Sequence, residues 1–287
     1  MSSTPASLAV SNDNIVTATI AYSLPPPDGS RAFSKTFVDP KTGQSERNTL
    51  RQEFKAQLEN VRGKENLYTL DTAGFQFFNR PTKVTDFSDE KLVREVYYPE
   101  SAELIKELTG ASRVVLFDHT IRRRRPGEVD SGPDRRQPVS LAHVDQTAAA
   151  SINRVHRHMP AEEAPELLKR RFQIINLWRP INKPAYDWPL ALCDYRSVKP
   201  EQDTFPVALI FPDREGETMA VRHNPDHKWK YLRGMTPDEF VLIKCSDSVQ
   251  DGSVAVFTPH TAFEDPSTPK GTPPRESIEL RALVFYD

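Results

Sequence analysis

The segment Leu141-Ala142-His143-Val144-Asp145-Gln146-Thr147 sets a histidine and an aspartate two positions apart. In an extended chain, residues i and i+2 point to the same side. One imidazole and one carboxylate can therefore reach a common metal ion. A further histidine, His260 in Thr258-Pro259-His260-Thr261, follows the apolar run SVAVF. Two neutral imidazoles and a carboxylate on one face of a metal form a facial triad. That set suits Fe(II) and leaves positions open for O2 and a co-substrate. His-x-Asp by itself is more readily a polar loop pair, so the later histidine and a third feature carry the case.

The third feature is Arg275-Glu276-Ser277, which opens the final run SIELRALVFY. Arg275 and Ser277 share a strand face. A guanidinium grips a carboxylate with two parallel bonds, and a hydroxyl adds a donor. The pair suits the distal carboxylate of 2-oxoglutarate, with the keto-acid end on the metal. Arg281 lies on the same face and is the rival anchor; the adjoining serine favours Arg275. Either arginine is also readable as an ion-pair residue. Asn176 and Trp178 share a face of the run FQIINLW. With Tyr195 and Arg196 they are candidate walls of a substrate pocket, although aromatic residues in strands more often belong to a core.

Other histidines fit a metal less well. His156 and His158 fall in a helical stretch, where i and i+2 diverge by about 200°. His223 and His227 enclose Asn224-Pro225-Asp226, and proline argues against a helix there. His119 ends a buried strand and reads as a core histidine. The sequence holds no HExxH, GxSxG, GxGxxG or Walker loop.

Composition limits the setting for this chemistry. The chain has 287 residues, a formal charge of −2 and 37 % hydrophobic content. One large domain, residues 1–287, fits that length, with residues 1–14 flexible. The charge does not favour a nucleic-acid partner. Two cysteines, Cys193 and Cys245, read as reduced thiols. The first residues do not resemble a secretory leader and no apolar run is long enough to span a bilayer, so a cytoplasmic protein is expected.

The elements that must position the triad divide by texture. Residues 15–22 read as a strand. The charged stretch from Ser45 to Val61 reads as a helix. Ser88 caps a helix over 88–98, Pro99 breaks it, and a second helix over 99–109 ends at Gly110. Residues 113–119 read as a buried strand, and Arg122 to Arg125 open a basic loop that could meet an anionic substrate. Helices follow over 147–158 and 161–171. Beyond residue 172, FQIINLW, LALCDY, PVALIF, FVLIKC, SVAVF and SIELRALVFY are short strand-like runs between turns. The fold class is α+β: a β-barrel or sandwich with packed helices.

Longer motifs carry a resemblance. AHVDQT, NLWRPI, DWPLALCDYRSV, the Trp229–Tyr231 segment with MTPDEF, KCSDS, and PHTAFEDP followed by PRESIELRALVFY resemble the AsaB-like hydroxylase/desaturase family of fungal secondary metabolism. The chain is also similar to the gibberellin desaturase and the cephamycin methoxylation protein. The resemblance covers about residues 65–287. It implies a double-stranded β-helix (jelly-roll) core, with Fe(II), O2 and 2-oxoglutarate. It further implies hydroxylation, desaturation or cyclisation of a small molecule. The implied metal ligands fall on His143, Asp145 and His260, and the implied co-substrate anchor on Arg275, then Arg281. Departing from a common spacing, the gap from His260 to Arg275 is long, and Lys270 stands where a shorter gap would place the arginine. Two other readings remain at this point: an iron oxygenase without 2-oxoglutarate, and a non-catalytic β-barrel.

Overall fold

The computed structural model describes residues 14–38, 42, 45–128, 130 and 135–287. The flexibility expected for 1–14 falls, apart from residue 14, outside the described residues. So does part of the basic loop after Arg125.

The strands are β1 (Ile15–Leu24), β2 (Phe33–Val38), β3 (Ser45–Arg47), β4 (Leu50–Asn60), β5 (Phe75–Asn79), β6 (Arg113–Arg123), β7 (His143–Val144), β8 (Phe172–Pro180), β9 (Leu190–Cys193), β10 (Thr204–Ile210), β11 (Glu215–Val221), β12 (Trp229–Tyr231), β13 (Glu239–Asp247), β14 (His260–Ala262) and β15 (Glu276–Phe285). They form two sheets, ordered β1-β4-β12-β9-β14-β7-β11-β10-β2-β3 and β5-β13-β8-β15-β6. Together these curl into the jelly-roll core, flanked by helices.

The five-stranded sheet is antiparallel throughout. Its central strands β8 and β13 are buried along their whole length, which is why they read as near-continuous apolar runs. The helix Tyr98–Thr109 packs on this sheet, placing Ile105 in the larger core with Ile174, Leu177, Phe240 and Leu283. A second core, around Tyr22, Leu58, Trp229, Phe257 and Val144, lies on the longer sheet beside the candidate metal ligands. Cys193 and Cys245 are free and buried.

Several expectations are corrected. Residues 45–61 form β3 and β4 instead of a helix. Every residue of β1 pairs with β4 in a long antiparallel ladder. Within β4, Leu58 and Asn60 are buried while Arg51, Gln52 and Glu53 are exposed. The charges that suggested a helix line the wet face of a strand pair. The helix after residue 88 is not broken at Pro99. Asp89, not Ser88, caps it, accepting from the Lys91 and Leu92 amides. A π turn over Val93–Tyr97 then leads into Tyr98–Thr109, with the proline in its first turn. The wide turn accommodates a residue that lacks an N–H. Gly110 does end the helix, in the left-handed conformation (φ 70°). The helix expected over 161–171 shrinks to Ala164–Leu167, preceded and followed by turns. SVAVF is not a strand: it runs as irregular backbone, buried from Ala255 onward and held by the Ala255 amide donating to the Asp71 carbonyl (2.7 Å). Arg122 and Arg123 belong to β6, so the basic loop begins at Arg124.

Candidate metal centre and cleft

Cross-strand pairing assembles the triad. His143 of β7 lies directly opposite His260 of β14, with ring centroids 4.4 Å apart. Asp145, two residues beyond His143, turns the same way. Its Oδ1 lies 3.3 Å from His143 Nε2 and 3.7 Å from His260 Nε2. The three donor atoms lie within 4.8 Å of one another, and this is the group of metal-ligand type found among the described residues.

The tautomers follow from the backbone. His143 Nδ1 donates to the Leu141 carbonyl (2.8 Å), and His260 Nδ1 donates to the Thr258 carbonyl (3.0 Å). A carbonyl only accepts, so each Nδ1 carries the proton and each Nε2 presents its lone pair to the centre. Burial, followed by the charge of His143, pushes His260 down to about 4, so it is a neutral ligand at neutral pH. Burial opposes charge on Asp145, yet Arg281 and the two histidines hold its carboxyl well below the usual range.

The other oxygen of Asp145 has its own partners. Oδ2 accepts from Asn176 Nδ2 (2.7 Å) and Arg281 Nε (3.3 Å). Register explains this convergence: on β15, Arg281 sits opposite Asn176 of β8 on one side and Asp118 of β6 on the other. Arg281 also donates to Asp118 (3.0 Å), Thr120 (3.1 Å) and Glu279 (2.7 Å). Asn176 was expected as a pocket wall; it is instead a support for a metal ligand. Sequence reasoning missed Asp118 and Thr120, whose inward parity on β6 was the available signal.

Arg275 and Arg281 share a strand face, as expected, but occupy different surroundings. Arg275 is buried, with Nη1 donating to the Trp188 carbonyl (2.6 Å) and its backbone amide to Asp187 (2.9 Å). Its guanidinium lies 5.4 Å from the Trp178 ring centroid. Its Nε has no partner. Burial, then the nearby charge of Arg122, lowers Arg275 to about 9. Ser277 is buried next to it, opposite Arg122. Trp188 was not singled out by the sequence. It holds φ 46°, a rare conformation for a bulky residue, and its buried Nε1 is also unpartnered.

A cleft of about 600 Å³ reaches two of the three candidate ligands, His143 and Asp145, with Arg281 also in its wall; His260 is buried behind them. Of the remaining expected wall residues, Trp178 faces Arg275 and is buried. Tyr195 lines a neighbouring cleft and packs edge-on against Phe257. Arg196 is elsewhere. It is clamped by Asp194 (2.8 and 2.6 Å) and lines a separate surface groove with Trp229 and His223. His227 is held by Asp203 (3.0 Å) and His119 by the Tyr98 hydroxyl (2.9 Å).

The donor set fits a divalent metal of the iron type: two neutral imidazoles and one carboxylate oxygen converge, and hydrogen bonds fix the other atom of each ligand. The unpartnered Nε of a buried arginine fits an additional carboxylate.

Comparisons with known proteins agree with this chemistry. A family model described as "Oxidoreductase/YMDC permease-like domain" matches residues 20–285. The hydroxylase/desaturase CTB9 of Cercospora beticola is 37 % identical over 250 residues, covering 80 % of this chain and 76 % of that protein. The Fe(II)/2-oxoglutarate-dependent dioxygenase nvfI of Aspergillus novofumigatus is 34 % identical over 255 residues, covering 86 % of this chain and 89 % of that protein. A solved structure of the iron and alpha-ketoglutarate-dependent endoperoxidase NvfI has a TM-score of 0.83 at 29 % identity, covering 96 % of this chain and 99 % of that one. No helix among the described residues is long and apolar enough to cross a membrane.

Proposed function

We infer, from a chain that belongs to the fungal hydroxylase/desaturase family, that this protein is an Fe(II)/2-oxoglutarate-dependent oxygenase acting on a small molecule with O2. The observation that carries the reading is the convergence of His143 Nε2, His260 Nε2 and Asp145 Oδ1 on one point. The reading includes one oxygenase domain over residues 1–287, supported by a family match over 20–285, and a cytoplasmic location.

When bound, Fe(II) with 2-oxoglutarate and O2 supplies hydrogen abstraction from an unactivated C–H bond. The chain's own residues prepare for that step. His143 and His260 would hold the metal through Nε2, each ring oriented by a carbonyl that accepts from its Nδ1. Asp145 offers Oδ1, while Asn176 and Arg281 retain Oδ2, which favours one-oxygen ligation and keeps coordination positions free. Arg275 is the preferred anchor for the distal carboxylate of 2-oxoglutarate, with Ser277 as a further donor. Its unpartnered Nε supports this assignment, whereas Arg281 already meets four partners. Val207, Leu209, Met219 and Ala220, from β10 and β11, give the cleft beside His143 and Asp145 an apolar part of its wall.

The test is anaerobic reconstitution with Fe(II), followed by 2-oxoglutarate and O2. Succinate release is expected, and His260→Ala should lose both bound iron and succinate formation. Equal succinate release from His260→Ala would refute the assignment.

A further inference from the structure

The cleft beside His143 and Asp145 has an uneven charge distribution. Six arginines and three aspartates line it. Three of these nine side chains are committed around the metal: Asp145 as ligand, with Arg281 joining it to Asp118. Arg122 donates to the Gln137 carbonyl (2.9 Å) and lies 4.0 Å from Asp130, which also accepts from the Gln137 amide (3.3 Å). Arg47, Arg136, Arg154 and Arg214 remain. Of these, Arg214 lies 3.2 Å from its exposed neighbour Asp213. The other three guanidiniums have no ion pair among the described residues.

Arg154 stands apart within this group. It is half-buried on the helix Ala148–His158, which begins just past Asp145 and is capped by Thr147, whose hydroxyl accepts from the Ala150 amide (3.0 Å). That helix fixes Arg154 relative to the metal. Its guanidinium lies 5.3 Å from the Phe117 ring centroid, which holds the plane but does not neutralise the charge. Burial weakens its hold on its proton, with only partial relief from Asp118. Glu217, beside the neighbouring groove, accepts from Thr147 (2.5 Å) and lies 3.9 Å from Arg31. A half-desolvated guanidinium without an anion is a cost that a ligand carboxylate would remove. Val207, Leu209 and Met219 add an apolar surface to the same cleft.

We propose that the cleft selects an amphipathic organic carboxylate as substrate, its acid gripped by Arg154 in the wall and its apolar body lying along Val207, Leu209 and Met219. The proposal rests on the oxygenase reading for the position of the metal. It assigns Arg154 the substrate's acid, distinct from the co-substrate's carboxylate at Arg275. Arg47, Arg136 and Arg214 raise the local positive potential and draw the anion in.

Calorimetric titration of Mn(II)-loaded protein, saturated with 2-oxoglutarate and kept anaerobic, tests this without turnover. The probes are 4-phenylbutanoate and its neutral isostere 4-phenylbutanamide. The acid is expected to bind at least about tenfold tighter, the scale of a charge-assisted bidentate contact. Arg154→Gln should cut that preference below about twofold while metal content and 2-oxoglutarate affinity stay unchanged. The exposed pair Arg47→Gln/Arg214→Gln leaves the core untouched and should lower the preference about two- to fivefold through the lost potential. Equal binding of acid and amide would overturn the proposal. So would a preference that survives Arg154→Gln, or a weakening of 2-oxoglutarate itself in that variant. Failure in these arms leaves succinate release intact, whereas failure of the oxygenase reading removes succinate release and leaves the binding preference.

Discussion

Replacing Asn176 by leucine separates metal affinity from fold stability. Asn176 is completely buried, and its Nδ2 donates to Asp145 Oδ2 at 2.7 Å. Its Oδ1 is buried with no partner. A hydrogen bond to a charged group contributes about 1.5–3 kcal/mol, and an unsatisfied buried acceptor costs about 1–3 kcal/mol. Leucine has the same number of side-chain heavy atoms and the same branching at Cγ as asparagine, so it removes both without opening a cavity. In the metal-free protein the two effects oppose, and the net change in stability should be within about 1 kcal/mol of zero. Metal binding has no such offset. It depends on Asp145 keeping Oδ1 on the metal side, and the remaining restraint on Oδ2 is Arg281 Nε at 3.3 Å. Loss of an outer support of this kind costs about 10–100-fold in metal affinity. The assay is anaerobic Fe(II) competition against a chelator, run beside urea denaturation of the metal-free variant. Iron affinity within about threefold of the parent would refute the reasoning. A metal-free variant destabilised by several kcal/mol would show that Asn176 is chiefly a structural residue.

Three more outcomes follow from the same geometry. Arg275→Gln should raise the KM for 2-oxoglutarate by about 10–100-fold with iron affinity intact, while Arg281→Gln should weaken iron binding first; the reverse pattern would make Arg281 the anchor. Gly74→Ala should destabilise the fold by about 1–3 kcal/mol and loosen the distal histidine. Its Cβ would lie 2.5 Å from Thr258 Oγ1 at a φ of 87°, and the Thr258 carbonyl orients His260; an unchanged urea midpoint would refute this. Burial lowers the affinity of His119, His158, His223, His227 and His260 for protons relative to the ordinary value of 6.5. The unfolded chain therefore binds more protons than the native one in mild acid, so stability present above about pH 6.5 is lost as pH falls below it. The urea midpoint of metal-free protein should drop between about pH 7 and pH 5, and a flat profile would count against it.

Half of the triad was legible from a short-range signal: His-x-Asp needs extended backbone over only three residues. His260 was singled out for following SVAVF, which is irregular backbone and not a strand; pairing of β7 with β14 is what brings it to His143. What was illegible depends on context beyond the local chain. The stretch 45–61 is charged because it faces water, and charge alone does not distinguish a helix from the wet face of a strand pair. Parity put Asn176 and Trp178 on the inner face of β8, but only the register with β15 shows that Asn176 reaches Asp145 while Trp178 lies against Arg275. Arg196 failed for a local reason: Tyr195–Ser197 is a single 3-10 turn, so strand parity does not apply, and Asp194 captures the guanidinium.

The inner face of β15 shows why two arginines of equal parity need not compete for one task. Arg275, Ser277, Glu279 and Arg281 all point inward, but about 3.3 Å of rise per residue separates the Cα atoms of the first and last by roughly 20 Å, although the Arg275 guanidinium reaches back along the strand to Trp178, which pairs with Glu279. Each position meets a different pair of neighbours through the register: Pro180 and Arg122 at Ser277, Trp178 and Thr120 at Glu279, Asn176 and Asp118 at Arg281. At the deep end, acidic partners surround Arg281 and fix it against a metal ligand. At the entry of the strand, Arg275 has an aromatic face, a carbonyl, a second arginine nearby and one N–H without a partner. An arginine paired directly with three carboxylates gains little from a fourth, whereas Arg275, pressed by a like charge and only partly relieved by Asp187 and Glu279, gains more from a direct carboxylate partner. The same contrast repeats in the wall of the cleft, where Arg154 lies over Phe117 with no ion pair among the described residues. A dicarboxylate at Arg275 and a monocarboxylate at Arg154 would then enter separate electrostatic wells, and neither guanidinium could replace the other without moving its anion away from the metal.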